Sequence, residues 1–399
     1  MAMDLPSLYL KKREQARVGA GHPWVFSNEV EVERSALSAF EAGQMVAIRS
    51  DGGAFIGTAY INPHSLILAR IVSRTPGEAL DRPLLQRRLE RALALREQLF
   101  VQPFYRLAFG ESDGLPGLVV DRYAELLVVQ IFTAGMERVR EDVLAALDAV
   151  LAPKTIVLRN DIASRALEGL DLYVETPVGT VPEWTVLEEH GARFEVSLLE
   201  GQKTGWYFDQ RPNRARSLDY ARGRRVLDAF SYGGAWGIQA ALGGAREVLC
   251  VDTSEPALRQ VRRNARLNGV EQTVSSTRGD AFEMLRGLHA EGERFGTVIL
   301  DPPAFIRRRK DINAGVQAYR RLNRLAIRLL EPDGILITSS CSTHLRRDKL
   351  QDAVAQAARL YHRELQLLEE GHQGPDHPVH PALPESSYLK VFFARVFVE

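Results

Sequence analysis

Between residues 43 and 73, apolar and polar positions alternate in three short runs. GQMVAIRS (43–50) and AFIGTAYI (54–61) flank Asp51-Gly52-Gly53, and SLILARIVS (65–73) follows. Asp-Gly between two apolar runs predicts a hairpin. Pro76-Gly77 ends the stretch, and residues 1–75 read most simply as a small β-barrel. From Pro83 to Phe100 the period changes. Leu85, Leu89, Ala92, Leu93, Leu99 and Phe100 fall near one helix face, with Arg and Glu on the other. Strand signals return at 105–109, 117–123 and 125–132. A helix over 139–150 ends before Pro153, and TIVLRN (155–160) opens further strands. Residues 76–196 are thus expected to form a mixed α+β domain.

From residue 197 strands and helices alternate. Strands are expected at 224–230, 247–252, 274–280, 297–301 and 334–340, and helices at 235–242, 255–268, 281–289, 316–330 and 346–360. That alternation predicts an α/β fold with a parallel sheet wound on both faces. Two more strands, 364–369 and 389–398, close the 197–399 domain.

The length of 399 residues fits two to four domains at roughly 100–200 residues each. Lys+Arg and Asp+Glu are both 51, which excludes binding to nucleic acid through bulk charge but leaves room for local basic patches. Apolar residues at 45% and charged residues at 26% argue for a globular chain and against disorder. Cys250 and Cys341 are the two cysteines, so a disulfide framework is excluded and a reducing compartment is expected. The start, MAMDLPSLYLKKREQARVG, has no apolar core behind a basic start, and no run of 18 apolar residues exists. The reading is a cytoplasmic protein with no membrane partner.

Asp228 ends the first parallel strand and is followed by Phe230, Tyr232, Gly233, Gly234 and Gly237, where the chain turns into a helix. Glycines there let backbone approach a ligand at a helix N-terminus. The spacing is Gly-Gly-x-x-Gly rather than Gly-x-Gly-x-x-Gly, which disfavours a dinucleotide site; a tight turn without a ligand is the plainer alternative. Asp252 ends the second strand, where an acid can accept both hydroxyls of a ribose. It can equally cap the helix near Ser254-Glu255-Pro256. Asp280 ends the third strand, and Asp301-Pro302-Pro303-Ala304-Phe305 follows the fourth. The prolines hold an extended turn that keeps Asp301 at the carboxyl edge of the sheet. One such acid is ambiguous, but four at successive strand ends resemble the class I S-adenosylmethionine-dependent methyltransferase fold.

The fifth strand runs into Ser339-Ser340-Cys341-Ser342, placing a thiol at the same sheet edge. Carbon-5 of a pyrimidine is a poor nucleophile. A thiolate adding to carbon-6 makes carbon-5 enamine-like and able to attack a sulfonium methyl. A base then takes the carbon-5 proton and the thiol leaves. Free Cys has a pKa of ~8.5, so a neighbour must favour the anion. His344 and the dipole of the following helix are the candidates read from sequence. The bland alternative is a small buried apolar residue, which is the natural reading of Cys250 in mid-strand.

Lys203 to Arg214 mixes aromatic, acidic, amide and basic groups ahead of the first parallel strand, as a lid or a phosphate contact would, or else as a solvated linker. Residues 203–225 hold seven Lys/Arg, and 307–328 hold eight. Arg320, Arg324 and Arg328 repeat every four residues opposite Leu322, Leu325, Leu329 and Leu330. Such clusters imply salt-dependent phosphate binding, or else a solvated helix face.

His22-Pro23-Trp24-Val25-Phe26-Ser27, Glu111 to Leu118, Lys203 to Arg214, Asp301-Pro302-Pro303 and Ser340-Cys341-Ser342 together resemble the bacterial 23S ribosomal RNA cytosine-5 methyltransferases of the RlmI/RlmO type. The resemblance spans the chain and extends to the tail, Asp376 to Lys390. It implies a PUA domain (1–75), a central α+β domain (76–196) and a Rossmann-like methyltransferase domain (197–399) whose last strand is antiparallel. It further implies S-adenosylmethionine as cofactor, 23S ribosomal RNA as partner and a plausible homodimer, with no metal. Cys341 becomes the nucleophile, and Asp301 contacts the target base near its amine. The expected cofactor set is Tyr207, Gln210, Asp228, Phe230, Tyr232, Gly233, Gly234, Asp252, Asp280 and Asp301. The expected RNA set is Lys203, Arg211, Arg214, Pro302, Pro303, Arg307, Arg308, Arg309 and Lys310. Lys11-Lys12-Arg13 and Arg17 add RNA affinity. Another family of RNA cytosine-5 methyltransferases carries a cysteine just after its fourth-motif proline, where this chain has Pro303 and Ala304. The base that removes the carbon-5 proton is therefore not a second thiol. Methylation of an exocyclic amine on the same fold, a non-catalytic RNA-binding assembly factor, and a nicotinamide-dependent oxidoreductase are the rivals.

Overall fold

The computed structural model describes residues 5–398, so the first four residues of the N-terminal stretch lie outside it. The chain divides into two compact units. The first holds residues 1–185, 197–206 and 375–386, and the second holds 186–196, 207–374 and 387–399.

The first unit opens with a five-stranded sheet. Its strands are β1 (Ser7–Tyr9), β2 (Trp24–Phe26), β3 (Gln44–Arg49), β4 (Phe55–Ile61) and β5 (Ile67–Ser73), with helix α1 (Gln15–Gly19) between the first two. The order is β1-β3-β4-β5-β2, and an antiparallel bridge between Leu10 and Val30 joins the two ends of the row. Leu8, Val18, Val25, Val46, Ile48 and Leu68 fill its interior. Next come α2 (Arg82–Leu99), β6 (Phe104–Phe109), β7 (Leu118–Tyr123), β8 (Leu126–Ile131), α3 (Ala134–Arg138), α4 (Arg140–Leu151), β9 (Thr155–Asn160) and β10 (Tyr173–Val178). They form a second sheet in the order β10-β9-β8-β7-β6. Leu85 and Leu89 of α2 and Val143 and Leu147 of α4 pack into its core. The reading that puts the arginines of α2 in solvent fails at Arg96. That residue is fully buried, because its guanidinium forks onto Asp113 at 2.7 Å on both arms.

The second unit begins with a hairpin, β11 (Thr185–Glu189) and β12 (Ala192–Val196). It continues α5 (Arg211–Ala221), β13 (Arg225–Ala229), α6 (Ala235–Leu242), β14 (Glu247–Asp252), α7 (Glu255–Leu267), β15 (Val274–Arg278), α8 (Ala281–Ala290), β16 (Phe295–Leu300), α9 (Ile312–Leu329), β17 (Leu330–Ser340), α10 (Arg347–Arg359), β18 (Glu364–Gly371) and β19 (Lys390–Phe397). The sheet order is β15-β14-β13-β16-β17-β19-β18. β13 to β17 pair in parallel, and β19 runs antiparallel between β17 and β18. Strands of a sheet covered on both faces read as continuous apolar runs, and every residue of β16 is buried. One face packs Leu285, Leu322, Leu325, Val354 and Ala357 from α8, α9 and α10. The other packs Ala221, Trp236, Ala240, Leu258 and Val261 from α5, α6 and α7.

The expected boundary at residue 197 is drawn differently by the structure. Most of the β11–β12 hairpin belongs to the second unit, while 197–206 and 375–386 belong to the first. The reason lies on α7. Asn264 Oδ1 accepts Glu195 N–H at 2.7 Å, Asn268 Oδ1 accepts Arg193 N–H at 2.8 Å, and Gln260 donates to the Glu195 carbonyl at 2.6 Å. No helix among the described residues is long and apolar enough to cross a membrane.

Candidate active site

The turn from β13 into α6 is wound tightly. Phe230, Tyr232 and Gly234 have φ of 67°, 46° and 82°. A side chain in the left-handed region costs roughly 1–2 kcal/mol, so the surroundings must impose it at Phe230 and Tyr232. Ser231 N–H donates to the Val251 carbonyl at 3.0 Å, and Tyr232 N–H donates to Asp252 Oδ2 at 3.0 Å. Gly237 is required by close approach. A Cβ there would lie 2.6 Å from Cys250 Sγ, and its N–H donates to Asp228 Oδ2 at 3.0 Å.

Asp228 departs from its expected place in the cofactor set. It is 0% exposed and braces the turn through Gly237. Burial pushes its carboxyl up to about 7; the Gly237 N–H opposes the rise, and Asp301 and Asp252 add to it.

Asp252 is half-buried. Its Oδ1 accepts Ser254 N–H at 2.8 Å and its Oδ2 accepts Tyr232 N–H. A carboxylate has about four acceptor positions, so each oxygen keeps one for a vicinal diol. The helix cap that competes with this reading is supplied by Ser254, whose Oγ accepts Ala257 N–H at 3.3 Å. Asp280, by contrast, is an exposed cap, its Oδ1 taking Phe282 and Glu283 N–H at 3.0 and 3.2 Å. Gly233 is open backbone for a different reason than a ligand, since a Cβ would stand 3.0 Å from the Gln260 amide. The half-buried rings of Phe230 and Phe282 lie 6.5 and 6.1 Å from that of Phe305. Partly exposed aromatic faces beside a carboxylate with spare acceptors fit an adenosyl group.

Asp301 follows β16 directly. Its Oδ1 accepts Gln210 Nε2 at 2.8 Å and the Ser339 hydroxyl, and its Oδ2 accepts Trp236 Nε1 at 3.0 Å. Burial raises its pKa, while Ser339 and Trp236 pull the other way. Three donors leave one acceptor position, on Oδ2. Gln210, expected to line the cofactor pocket, is thereby a brace on Asp301, itself fixed by Asn213 Nδ2 at 2.8 Å.

Ser340 and Ser342 turn inward on either side of Cys341. Ser340 Oγ donates to Tyr319 Oη at 2.8 Å, Tyr319 Oη lies 3.1 Å from Ser342 Oγ, and Ser342 Oγ accepts Ile306 N–H at 3.2 Å. This knot ties the thiol loop to the loop of Asp301-Pro302-Pro303. Cys341 between them is half-buried, whereas Cys250 is fully buried, with a pKa well above the ordinary range. Tyr207 stands 5.7 Å, edge to face, from Tyr232. Burial chiefly raises its pKa, with Tyr232, Asp209, Asp301 and Cys341 adding to the rise.

Among the expected RNA-facing groups, Arg214 is displaced. Its side chain is 2% exposed and forks onto the fully buried Glu189 at 2.5 and 2.7 Å. Arg211 is also buried, 3.6 Å from Glu189 and stacked over Phe208 at 5.2 Å. The segment expected as a lid starts helix α5, whose buried polar residues are held by such partners. Lys203 is exposed, with φ of 51°, in the first unit. Arg307, Arg308, Arg309 and Lys310 are all exposed, Pro303 is exposed and Pro302 is buried.

Trp236, Ser339 and Tyr319 were not singled out by pattern; their role appears only once the loops meet. The cation expected at Cys341 also differs. His344 is exposed, while Lys390 is buried and donates from Nζ to the Ser342 carbonyl at 2.7 Å. The signal was a lysine opening a strand that is apolar but for Arg395, KVFFARVF.

A model of the S-adenosylmethionine-dependent methyltransferase family matches residues 159–389, and a PUA-like model matches residues 8–74. The chain is 38% identical over 395 residues to a protein of Erwinia tasmaniensis named ribosomal RNA large subunit methyltransferase I, covering 98% of this chain and 99% of that one. A protein of the same name from Klebsiella pneumoniae is 37% identical over 397 residues, covering 98% of each. Among solved structures, a putative S-adenosylmethionine-dependent methyltransferase from Streptococcus mutans superposes with a TM-score of 0.83 at 20% identity, covering 98% of this chain and all of that one. A putative methyltransferase complexed with SAH gives 0.84 at 20% identity over the same shares, a likeness of fold.

Proposed function

Since the chain belongs to the S-adenosylmethionine-dependent methyltransferases, in the family whose curated members are named ribosomal RNA large subunit methyltransferase I, we propose that it methylates carbon-5 of a cytosine in 23S ribosomal RNA through a Cys341 adduct. S-adenosylmethionine supplies an electrophilic methyl group on a sulfonium. Asp252 and the Phe230–Tyr232–Gly234 turn would hold its adenosyl and methionine ends, beside Phe282 and Phe305. Cys341 adds to carbon-6 of the base, and carbon-5 becomes nucleophilic. Once carbon-5 carries the methyl group, a base accepts the carbon-5 proton, the C–H electron pair re-forms the carbon-5–carbon-6 double bond, and the carbon–sulfur bond breaks to return Cys341 as its thiolate. Asp301, with one acceptor position remaining, takes a hydrogen from the exocyclic amine and fixes the ring. The target must leave its stack, which costs a few kcal/mol and less for an unpaired base, so a loop or unfolded RNA segment is the favoured substrate.

The observation that carries this reading is that Asp301 accepts the hydroxyl of Ser339, two residues before the half-buried Cys341, at the neighbouring ends of β16 and β17. Methylation of an exocyclic amine would need the carboxylate and no thiol. The deciding experiment is Cys341→Ala. Transfer should vanish while S-adenosylmethionine binding stays within about twofold, and mass mapping of the product should place the methyl group on carbon-5. Normal methylation by that variant overturns the covalent route.

A further inference from the structure

The covalent reading leaves open what holds the thiol as an anion. β19 runs antiparallel to β17 with Lys390 directly opposite Ser340, the residue before Cys341. The Lys390 side chain comes back over the thiol loop, and Nζ donates to the carbonyl of Ser342, the residue after Cys341, at 2.7 Å. Lys390 is only 6% exposed. A lysine is seldom buried without a partner of opposite charge, because desolvation penalises the ammonium. One neutral carbonyl does not neutralise that charge.

Three influences act on this lysine. Burial pulls its pKa down, to about 8, and the Arg347 guanidinium at the start of α10 pulls it further; Cys341 pushes it up. Arg347 is itself engaged by Glu370 at 3.0 Å. Tyr319 Oη is bonded to the hydroxyls of Ser340 and Ser342, and burial chiefly raises the pKa of both Tyr319 and Tyr207, with Cys341 adding to the rise, so both stay neutral phenols. Neither phenol can therefore serve as the counter-charge. The anion able to relieve the buried ammonium is the Cys341 thiolate.

We infer that Lys390 is a positioning residue that holds Cys341 as its thiolate by forming a buried ammonium–thiolate pair, anchored through the Ser342 carbonyl. This rests on the covalent reading for its catalytic meaning. The chemistry balances simply: the S–H bond of Cys341 breaks, its proton goes to solvent, and Lys390 keeps its own proton throughout. When carbon-6 takes the sulfur, the thiolate charge moves to the base. When the product is released, the charge returns to a sulfur already facing its cation. The two titrations are coupled, so the pair rather than either residue owns the observed midpoint.

The test is the pH profile of Cys341 alkylation by iodoacetamide in the full chain without RNA, read by peptide mass mapping. The wild type should alkylate with a midpoint clearly below the ~8.5 of a free thiol. Lys390→Met should move the midpoint up by about one unit or more, a fall of roughly tenfold in alkylation rate at pH 7. Lys390→Arg, which keeps a cation, should restore a midpoint near the wild-type one. Binding of S-adenosylmethionine by each variant checks that it is folded. A wild-type midpoint at or above that of a free thiol overturns the inference whatever the variants do, as does a profile identical in folded Lys390→Met. Trapping on RNA containing 5-fluorocytosine separates the two proposals. A trapped adduct with a midpoint indifferent to Lys390 rejects the lysine role alone. A Lys390-dependent midpoint without any adduct supports the pair and rejects the covalent reading.

Discussion

Trp236 donates its indole N–H to Oδ2 of Asp301 at 3.0 Å. The first residue lies at the start of the helix that leaves the glycine turn, and the second directly follows the strand β16. The helix that leaves the turn proposed to hold the cofactor and the carboxylate proposed to hold the base are thus tied by one hydrogen bond. Trp236→Phe keeps the ring and removes the donor. A hydrogen bond to a charged group is worth about 1.5–3 kcal/mol, so methyl transfer should fall roughly ten- to hundredfold. Losing a donor favours the protonated carboxyl, so the acid limb of the rate profile should move to higher pH. An unmoved limb would show that Asp301 does not need this bond.

The Arg214–Glu189 fork makes a prediction of a different kind. Both side chains are essentially buried, and Glu189 also accepts Gln239 Nε2 at 2.7 Å. Removing Arg214 leaves the buried Glu189 with only the longer 3.6 Å contact to Arg211, at a cost of up to about 3–5 kcal/mol. Arg214→Met should therefore lower the melting temperature by many degrees. Replacing both, Arg214→Met with Glu189→Leu, should recover a large part of the loss. If Arg214 instead faced phosphate, the single variant would melt normally and lose only RNA affinity.

How far the molecule could be read in advance follows from where its forces act. The seven strands of the large sheet and the helices α6 to α10 were legible because burial on a strand or helix leaves a local period, as in the fully buried β16, whereas α5, rich in polar residues, read as a lid or linker. β1 and β2 left no such trace, being three residues long and stabilised by distant pairing, Ser7 with Ala47 and Trp24 with Arg70. The acids at the strand ends were visible, but not which of them faces a ligand. Asp228 is sealed beneath Gly237, while Asp252 keeps spare acceptors, and the difference arises from loop winding rather than residue type. Charged residues misled for a related reason. Arg96 and Arg214 read as surface groups because the carboxylates that make their burial tolerable, Asp113 and Glu189, lie elsewhere in the chain. Lys390 was hidden likewise, since only the antiparallel return of β19 brings it to the thiol loop.

Asp228 should report itself through pH. Its folded pKa, about 7, lies above the ordinary carboxyl value of 3.8. The folded state thus binds the proton more tightly than the unfolded one. Its contribution to stability is greatest below the unfolded value and is lost as pH rises through the folded one. Asp228→Asn cannot ionise. Between about pH 4 and 7 the wild type should lose stability relative to that variant, by up to a few kcal/mol, with no further change above. Urea midpoints of both proteins at pH 5, 6, 7 and 8.5 measure the difference. A constant gap across that range would mean that Asp228 is ionised throughout.

The exposed run Arg307-Arg308-Arg309-Lys310 bears on RNA rather than on chemistry. It follows Asp301-Pro302-Pro303 closely, and all four side chains reach solvent. Charges placed there can neutralise phosphates flanking a base held at Asp301. Each phosphate contact to a single strand contributes about 0.7 to the slope of log affinity against log salt. Replacing all four by Ala should flatten that slope by roughly 2 to 3 if three or four contacts are made. RNA affinity at low salt should drop, while S-adenosylmethionine affinity and the alkylation of Cys341 stay unchanged, because neither depends on this run. Filter binding of an RNA fragment from 50 to 300 mM salt would measure the slope directly. An unaltered slope would remove this loop from the RNA surface and leave the basic face of α9, with Arg324 exposed at its centre, as the place to look for the phosphates.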